Sequence, residues 1–380
     1  MTEASGPDSV ERLRIMRTPE TIDIDITERC NLRCQYCYFF TSAAEVKDLP
    51  KEAWLTFFEE LNRNAVKSVT LAGGEPFIRE DLQDILAGVV RNRMRFSLLS
   101  NGTLIGDDMA AYLASTRRCD YVQVSIDGSI PITHESFRGK GTFAKAVEGI
   151  RTLQRHGVPV AVRVTIHRRN VHDLENIARL LLEDIGLPSF STNSAGYLGL
   201  CQKNTDQVQL TTEDRNVAMA SLLKLIRKYG NRISAAAGPL AEAQMWREME
   251  QARAQGLASI PGRGFLVGCG CPLTKLAVRA DGVIVPCNML SHIELGRINR
   301  DDLGEIWRNH PALWKIRNRR QIPLSRFEFC AGCAYQNFCT GNCPALAYTL
   351  LGEVDHPSPD ACLRRFLEEG GRLPEEEVRE

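Results

Sequence analysis

The chain has no surplus of charge of either sign: 47 Lys and Arg are balanced by 47 Asp and Glu in 380 residues. That balance excludes the non-specific attraction that draws basic proteins to nucleic acid or anionic membranes, and no motif interleaving aromatic and basic residues points to a nucleic-acid partner. No run approaches the roughly 20 apolar residues a membrane span needs. The opening segment MTEASGPDSVERLRIMR lacks the apolar core of a secretion signal. Internal repeats and low-complexity tracts are also missing, which excludes solenoids and stalks. The expectation is a cytoplasmic globular protein with neither a membrane nor a nucleic acid among its partners.

Cysteine, by contrast, is abundant. Thirteen cysteines in a reducing compartment imply metal or redox chemistry rather than disulfides. They are unevenly spread. Cys30, Cys34 and Cys37 lie close together near the start, and Cys269, Cys271, Cys287, Cys330, Cys333, Cys339, Cys343 and Cys362 crowd the last third. Only Cys119 and Cys201 stand alone.

Between residues 20 and 230 short β-branched or apolar runs alternate with longer helical patterns. Strands are expected at TIDIDI (21–26), KSVTLA (67–72), MRFSLLS (94–100), YVQVSI (121–126), PVAVRVTI (159–166) and SFSTNS (189–194), each followed by a helix. Strand-helix alternation implies a parallel sheet with right-handed crossovers, and six units suit a partial (β/α)6 TIM-like barrel. Chemistry in such folds gathers at the C-terminal strand ends. The three-cysteine loop follows the first strand, GGEP the second, NGT the third, DGS the fourth and HRRN the fifth. The organisation reads as an N-terminal extension (1–20), the α/β barrel (21–235), a helical connector (236–264), a small Cys-rich domain (265–366) and a tail (367–380). So small a Cys-rich lobe is expected to build little core and to depend on bound metal.

Three thiolates on one loop suit zinc or an iron-sulfur cluster. Structural zinc would want a fourth ligand nearby, and the first histidine is His134. A cubane held by three cysteines leaves one iron free to take a small molecule. The stretch CNLRCQYC, with aromatic Tyr36 before the third cysteine, resembles the CxxxCxφC motif of the radical S-adenosylmethionine (radical SAM) superfamily, and GGEP resembles its Gly-Gly-Glu element. The resemblance implies that Cys30, Cys34 and Cys37 hold the SAM-binding cluster. It also implies that Gly73, Gly74 and Glu75 receive the methionine end of SAM, with Glu75 on its amino group. SNG and SIDG resemble the polar strand ends that line the ribose and methionine, which brings in Asn101 and Ser125, although polar residues there also cap helices. Arg138, in the FRGKGTF loop, either pairs with the cofactor carboxylate or lies on the surface. His134 and His167 on the same rim read as packed or solvated side chains.

The second cysteine group resembles the SPASM extension carried by a subset of these enzymes. Cys271 is followed by ten residues, Gly282, four more residues and Cys287; Cys330, Cys333, Cys339 and Cys343 form CxxCx5CxxxC; Cys362 closes the pattern. The resemblance assigns Cys330, Cys333, Cys339 and Cys362 to one auxiliary [4Fe–4S] cluster and Cys271, Cys287 and Cys343 to another, with Cys269 the candidate for its last ligand. A pair of four-cysteine zinc sites fits the same thiolate count. Cys119 reads as a buried thiol, and Cys201 falls on the active rim.

What the resemblance implies is an enzyme using S-adenosylmethionine and three [4Fe–4S] clusters, one binding SAM and two auxiliary. It would reductively cleave SAM to a 5′-deoxyadenosyl radical and abstract hydrogen from a substrate carbon, drawing on an external electron donor of flavodoxin or ferredoxin type. The leading substrate is a ribosomally made peptide or protein that is crosslinked, epimerised or oxidised. Sulfatase-maturing members carry Asp where this chain has Asn288, which counts against formylglycine formation. About 20 residues precede the first strand, so leader recognition would fall to a separate protein or another surface. The alternatives are tetrapyrrole side-chain modification and, from another class, a non-catalytic electron-transfer or zinc-binding protein.

Overall fold

The computed structural model describes residues 15–39, 48–267 and 270–374. The six alternating runs form strands β1 (Thr21–Thr27), β2 (Ser68–Gly73), β3 (Arg95–Ser100), β4 (Cys119–Ser125), β5 (Val160–Ile166) and β6 (Phe190–Ser194), paired in parallel and in sequence order. Helices Lys51–Arg63, Leu82–Arg91, Asp107–Thr116, Thr142–Arg155, Leu174–Arg179 and Thr212–Tyr229 supply the crossovers. Alternate strand residues point to opposite faces. Ile22, Ile24 and Ile26 of β1, Val122 and Val124 of β4, and Val162 and Val164 of β5 pack with Trp54, Phe57 and Phe58 in one core beneath the helices. Asp23 and Asp25, Gln123 and Ser125, and Arg163 and Thr165 occupy the intervening positions. The face turned away from the helices is therefore polar.

The sheet extends beyond these six strands. A short β7 (Ile233–Ala235) adds in parallel to β6. At the other edge β8 (Lys275–Val278), from the Cys-rich segment, pairs in parallel with β1 from Thr21↔Lys275 to Ile24↔Val278. Two antiparallel strands, β9 (Val283–Val285) and β10 (Gly296–Arg297), complete a ten-stranded sheet. Strands of two to four residues are too short for periodicity to reveal. The lobe also has more core than its composition suggests. Leu276, Val278, Leu303, Trp307 and Leu313 are buried in the same cluster as the β1 isoleucines.

Two helical details depart from the sequence reading. Helix Pro131–Arg138 was not anticipated because its buried face is His134, Phe137 and Arg138, so apolar periodicity is faint. The single helix expected after β5 is a 3-10 turn, an α-helix and the π-helical turn Leu180–Asp184, which buries the consecutive Leu181 and Leu182. Among the described residues no helix is long and apolar enough to cross a membrane.

Because Trp307 is fully buried in the shared core, Trp307→Ala should cost about 3–5 kcal/mol. Urea unfolding followed by circular dichroism should show a single transition moved to lower urea, with no separate early melting of the lobe.

Candidate functional site

Where β1 ends, the chain turns through a set of local bonds. The Thr27 hydroxyl and the Glu28 amide donate to the Asp48 carboxylate at 2.7 and 3.0 Å, and the Arg29 amide donates to Thr27 Oγ1 at 3.0 Å. This fixes the start of the cysteine loop. The end of β2 docks directly against it, with the Gly74 and Glu75 amides donating to the Thr27 and Arg29 carbonyls at 2.9 Å each. A Cβ on Gly73, whose φ is +128°, would lie 2.1 Å from the Thr27 oxygen, and one on Gly74 would lie 2.3 Å from the Arg29 oxygen. Only glycine lets the two backbones meet.

Cys30, Cys34 and Cys37 are partly buried on this loop and interact with one another electrostatically. Burial raises the Cys30 thiol and pushes Cys34 up to about 11, so a metal must displace protons to bind here. Glu75 is fully buried. It accepts hydrogen bonds from Ser100 Oγ at 2.9 Å, the Asn101 amide at 2.7 Å and the Phe77 amide at 3.2 Å. Burial still raises its carboxyl to about 7. Asn101 links the two halves of the site, because its Nδ2 donates to Asn31 Oδ1 at 2.9 Å and approaches Cys30 Sγ at 3.8 Å. Ser125 lies at the C-terminal end of β4, half-buried on the same rim.

Tyr36 and Arg138 converge on Asp127, a residue not singled out in the sequence. The Tyr36 hydroxyl and Arg138 Nε both donate to Asp127 Oδ2, and the Thr165 amide donates to Oδ1 at 2.8 Å. Of the two readings open for Arg138, the surface one is excluded, since it is 7% exposed. Burial would raise Asp127, but Arg138, His167 and His134 hold it below the ordinary carboxylate value. His167 packs edge-on to Phe137 and stacks on Tyr36. Burial lowers both His134 and His167 to about 4, leaving neutral imidazoles. Cys201 donates its amide to the Cys37 carbonyl at 3.2 Å and is buried beside Tyr36 and Phe137, its thiol pushed up to about 12 by burial. It packs the loop rather than offering a thiolate.

The C-terminal cysteines fall into two groups. Cys330, Cys333, Cys339 and Cys362 interact mutually, and Cys330 and Cys339 share a small apolar cluster with Leu266 and Leu324. Cys287 and Cys343 pack around Leu290, Ile316 and Ala345. Cys271 and Cys287 both act on Lys275. Cys269 lies outside the described residues. No three ligating side chains among the described residues converge tightly enough for a single metal ion.

Residues 24–181 match the radical SAM superfamily, and residues 269–334 match SPASM, an iron-sulfur cluster-binding domain. This chain belongs to the radical SAM superfamily. Pre-heme d1 synthase of Dinoroseobacter shibae is 30% identical over 94% of this chain and 90% of its own length. Fe-coproporphyrin III synthase of Methanosarcina barkeri is 29% identical over 89% and 86%, and PqqA peptide cyclase of Granulibacter bethesdensis is 24% identical over 89% and 86%. Among solved structures, Streptococcus suis SuiB bound to precursor peptide SuiA has the same fold, with a TM-score of 0.70 at 16% identity over 92% of this chain and 77% of that one. The chain is thus a radical SAM enzyme with a C-terminal SPASM domain, and that membership implies S-adenosylmethionine and iron-sulfur clusters.

The residues of this radical SAM enzyme fit such groups. Soft thiol donors stand on one loop, a glycine cradle admits a close ligand, and Glu75 is a buried carboxylate with no ion pair among the described residues. One functional candidate was missed in the sequence. Asp25 lies on the polar face of β1, with Oδ2 accepting from Asn288 Nδ2 at 3.0 Å and Oδ1 lacking a hydrogen-bond partner among the described residues. Burial raises it to about 7. The alternation in TIDIDI places it on that face, but only contact with Asn288, 263 residues away, marks it out.

Two outcomes follow from these buried carboxylates. Arg138→Met strands the Asp127 charge and should cost about 3–5 kcal/mol, read as a fall in the urea midpoint at pH 7. In the parent, Asp127's contribution is fully present above the ordinary carboxyl value of 3.8 and is lost only as pH falls below it. Asp25 has the opposite sign. It holds a proton in the folded chain that the unfolded chain releases, so stability drops as pH rises from 3.8 to about 7. Asp25→Asn should remove that drop, giving a higher urea midpoint than the parent at pH 8 and no difference below pH 4.

Proposed function

We propose that this enzyme binds S-adenosylmethionine on a cluster held by Cys30, Cys34 and Cys37 and abstracts hydrogen from a substrate seated against the polar face of the sheet. The chemistry supplied by the bound groups is reductive cleavage of SAM to a 5′-deoxyadenosyl radical. The observation that carries the reading is the docking of Gly73, Gly74 and Glu75 onto the cysteine loop, with Asn101 bridging Cys30 and Glu75.

In this reading Glu75 receives the methionine amino group, which supplies the positive charge its buried carboxyl lacks. Gly73 and Gly74 admit the cofactor to the backbone, and Asn101 and Ser125 offer polar contacts from the next strand ends. Tyr36 and Arg138 work through Asp127, holding the loop in shape and keeping a positive charge near Cys34. Cys330, Cys333, Cys339 and Cys362 hold one auxiliary cluster; Cys271, Cys287 and Cys343, with Cys269, hold the other. A donor of flavodoxin or ferredoxin type supplies the electron. Asp25 is the group best situated to accept a proton from substrate, since Asn288 supplies no carboxylate of its own there.

The substrate class we favour is a tetrapyrrole, because two relatives, 30% and 29% identical and matched over 90% and 86% of their own length, are named as a pre-heme d1 synthase and an Fe-coproporphyrin III synthase. Tetrapyrrole side chains carry carboxylates, and Arg163 offers a cation on the inner face, with an Nε that has no hydrogen-bond partner among the described residues. A peptide is the second reading, favoured by the likeness to PqqA peptide cyclase; there a separate leader-binding protein would assist.

Anaerobically reconstituted protein given dithionite and SAM should release 5′-deoxyadenosine, and Cys34→Ala should abolish this with circular dichroism unchanged. Failure of the parent protein to cleave SAM despite a full iron complement would overturn the reading. Iron-coproporphyrin III should bind with a shifted Soret band, weakened about tenfold by Arg163→Gln, the loss of about 1.4 kcal/mol. No binding would remove the tetrapyrrole reading and leave the peptide one.

A further inference from the structure

Helix Pro311–Asn318 and the turn Arg319–Gln321 deliver two arginines behind the cysteine group formed by Cys271, Cys287 and Cys343. Both are almost wholly withdrawn from solvent, Arg317 at 0% and Arg319 at 3% exposure. They line a small cavity together with Leu273, Ile316, Pro272 and Pro344. Pro272 directly follows Cys271, and Pro344 directly follows Cys343.

Neither guanidinium is fully satisfied. Arg317 donates from Nε to the Pro272 carbonyl at 2.8 Å and from Nη1 to the Trp307 carbonyl at 2.6 Å, and it lies over the rings of Trp307 and Trp314 at 4.4 and 5.1 Å. Its Nη2 has no hydrogen-bond partner among the described residues. Arg319 Nε lies 3.4 Å from Asp355 Oδ1, aligned too poorly for a hydrogen bond, and its Nη2 is also without a partner among the described residues. The same carboxylate is shared with Lys315 at 3.6 Å. Counting Arg317, Arg319 and Lys315 against Asp355 leaves positive charge in excess.

A buried cation with open donors is costly unless an anion faces it. The anion available here is the thiolate set itself: Arg319 feels the Cys343 thiol electrostatically, and Arg317 is bonded to the residue next to Cys271. A cluster core bound by three or four thiolates carries net negative charge, and that charge grows on reduction. Nearby charge and hydrogen bonds are among the levers that set cluster potentials.

We propose that Arg317 and Arg319 are positioning residues for the auxiliary cluster of Cys271, Cys287 and Cys343, which they stabilise in its reduced form and so make easier to reduce. This rests on the cluster reading of those cysteines given above. Arg319 carries the test, because Arg317 also braces the Pro272 and Trp307 carbonyls.

The experiment is a potentiometric titration of the full-length, anaerobically reconstituted protein followed by electron paramagnetic resonance. The relevant signal is identified as the one lost in Cys287→Ala. In Arg319→Gln that signal should shift toward harder reduction by about tenfold in the reduced-to-oxidised ratio at fixed potential, about 59 mV for one electron. The signal that responds to added SAM should stay in place, and iron content should be unchanged. Arg319→Lys, which keeps the charge, should restore most of the shift. An unmoved potential in Arg319→Gln at full iron content overturns the proposal. If Arg319→Gln loses the cluster, retention of cluster and potential by Arg319→Lys supports it, and loss in both variants overturns it. Absence of any signal dependent on Cys287 in the parent protein overturns the cluster reading itself, a distinct result.

Discussion

Asp127 is the point on which the candidate site turns. Its carboxylate is buried at the end of β4, and it survives there because Arg138, Tyr36 and the Thr165 amide converge on it. Tyr36 belongs to the cysteine loop, Arg138 to the helix after β4, and Thr165 to β5. One carboxylate thus joins a loop rooted on β1 to strands three and four places away in the sheet. A charged hub of this kind is a weak stabiliser relative to a well-packed apolar group, and its value lies in geometry. Asn170 reinforces it, donating from Nδ2 to the Asp127 and Thr165 carbonyls.

Other buried carboxylates are left unpaid in a different sense. Glu75 and Asp25 each lose hydration and form no ion pair among the described residues, and both rise to about 7. Such groups cost stability, and the large continuous core under the helices is what tolerates them. Strain of this sort gathers where a ligand or proton is to be handled. Asp25 lies on the polar side of the sheet and Glu75 just past the end of β2, and at both places the chain gives up packing for chemistry.

The Cys-rich segment is joined to the barrel by backbone as well as by contact. β8 adds to the outer edge of β1, Lys275 pairs with Asp23 at 2.7 Å, and Asn288 reaches Asp25. The first strand therefore carries the cysteine loop at its end, the inward aspartates along its length and the C-terminal lobe at its side. A shared sheet and a shared core fix the lobe against the polar face, which a flexible linker would not do.

The six βα units, the rim on which the motifs fall and the cysteine groups were legible in the sequence, because strand period, crossover handedness and ligand spacing are local properties. Tyr36, Gly73, Gly74, Glu75 and Asn101 could be nominated for the same reason. The partners of Arg138 could not, since a guanidinium three turns of chain from its carboxylate gives no periodic signal. Nor could β8 to β10, whose few residues join the sheet only because β1 offers an unpaired edge. Asp25 and Asn288, or Arg319 and Cys343, are matched by the way distant segments fold together. The sequence by itself determined which chemistry the chain can attempt, through the type and spacing of its thiols and glycines. Only the tertiary structure decided which charges are buried and which face one another, because desolvation and pairing exist only once distant segments pack.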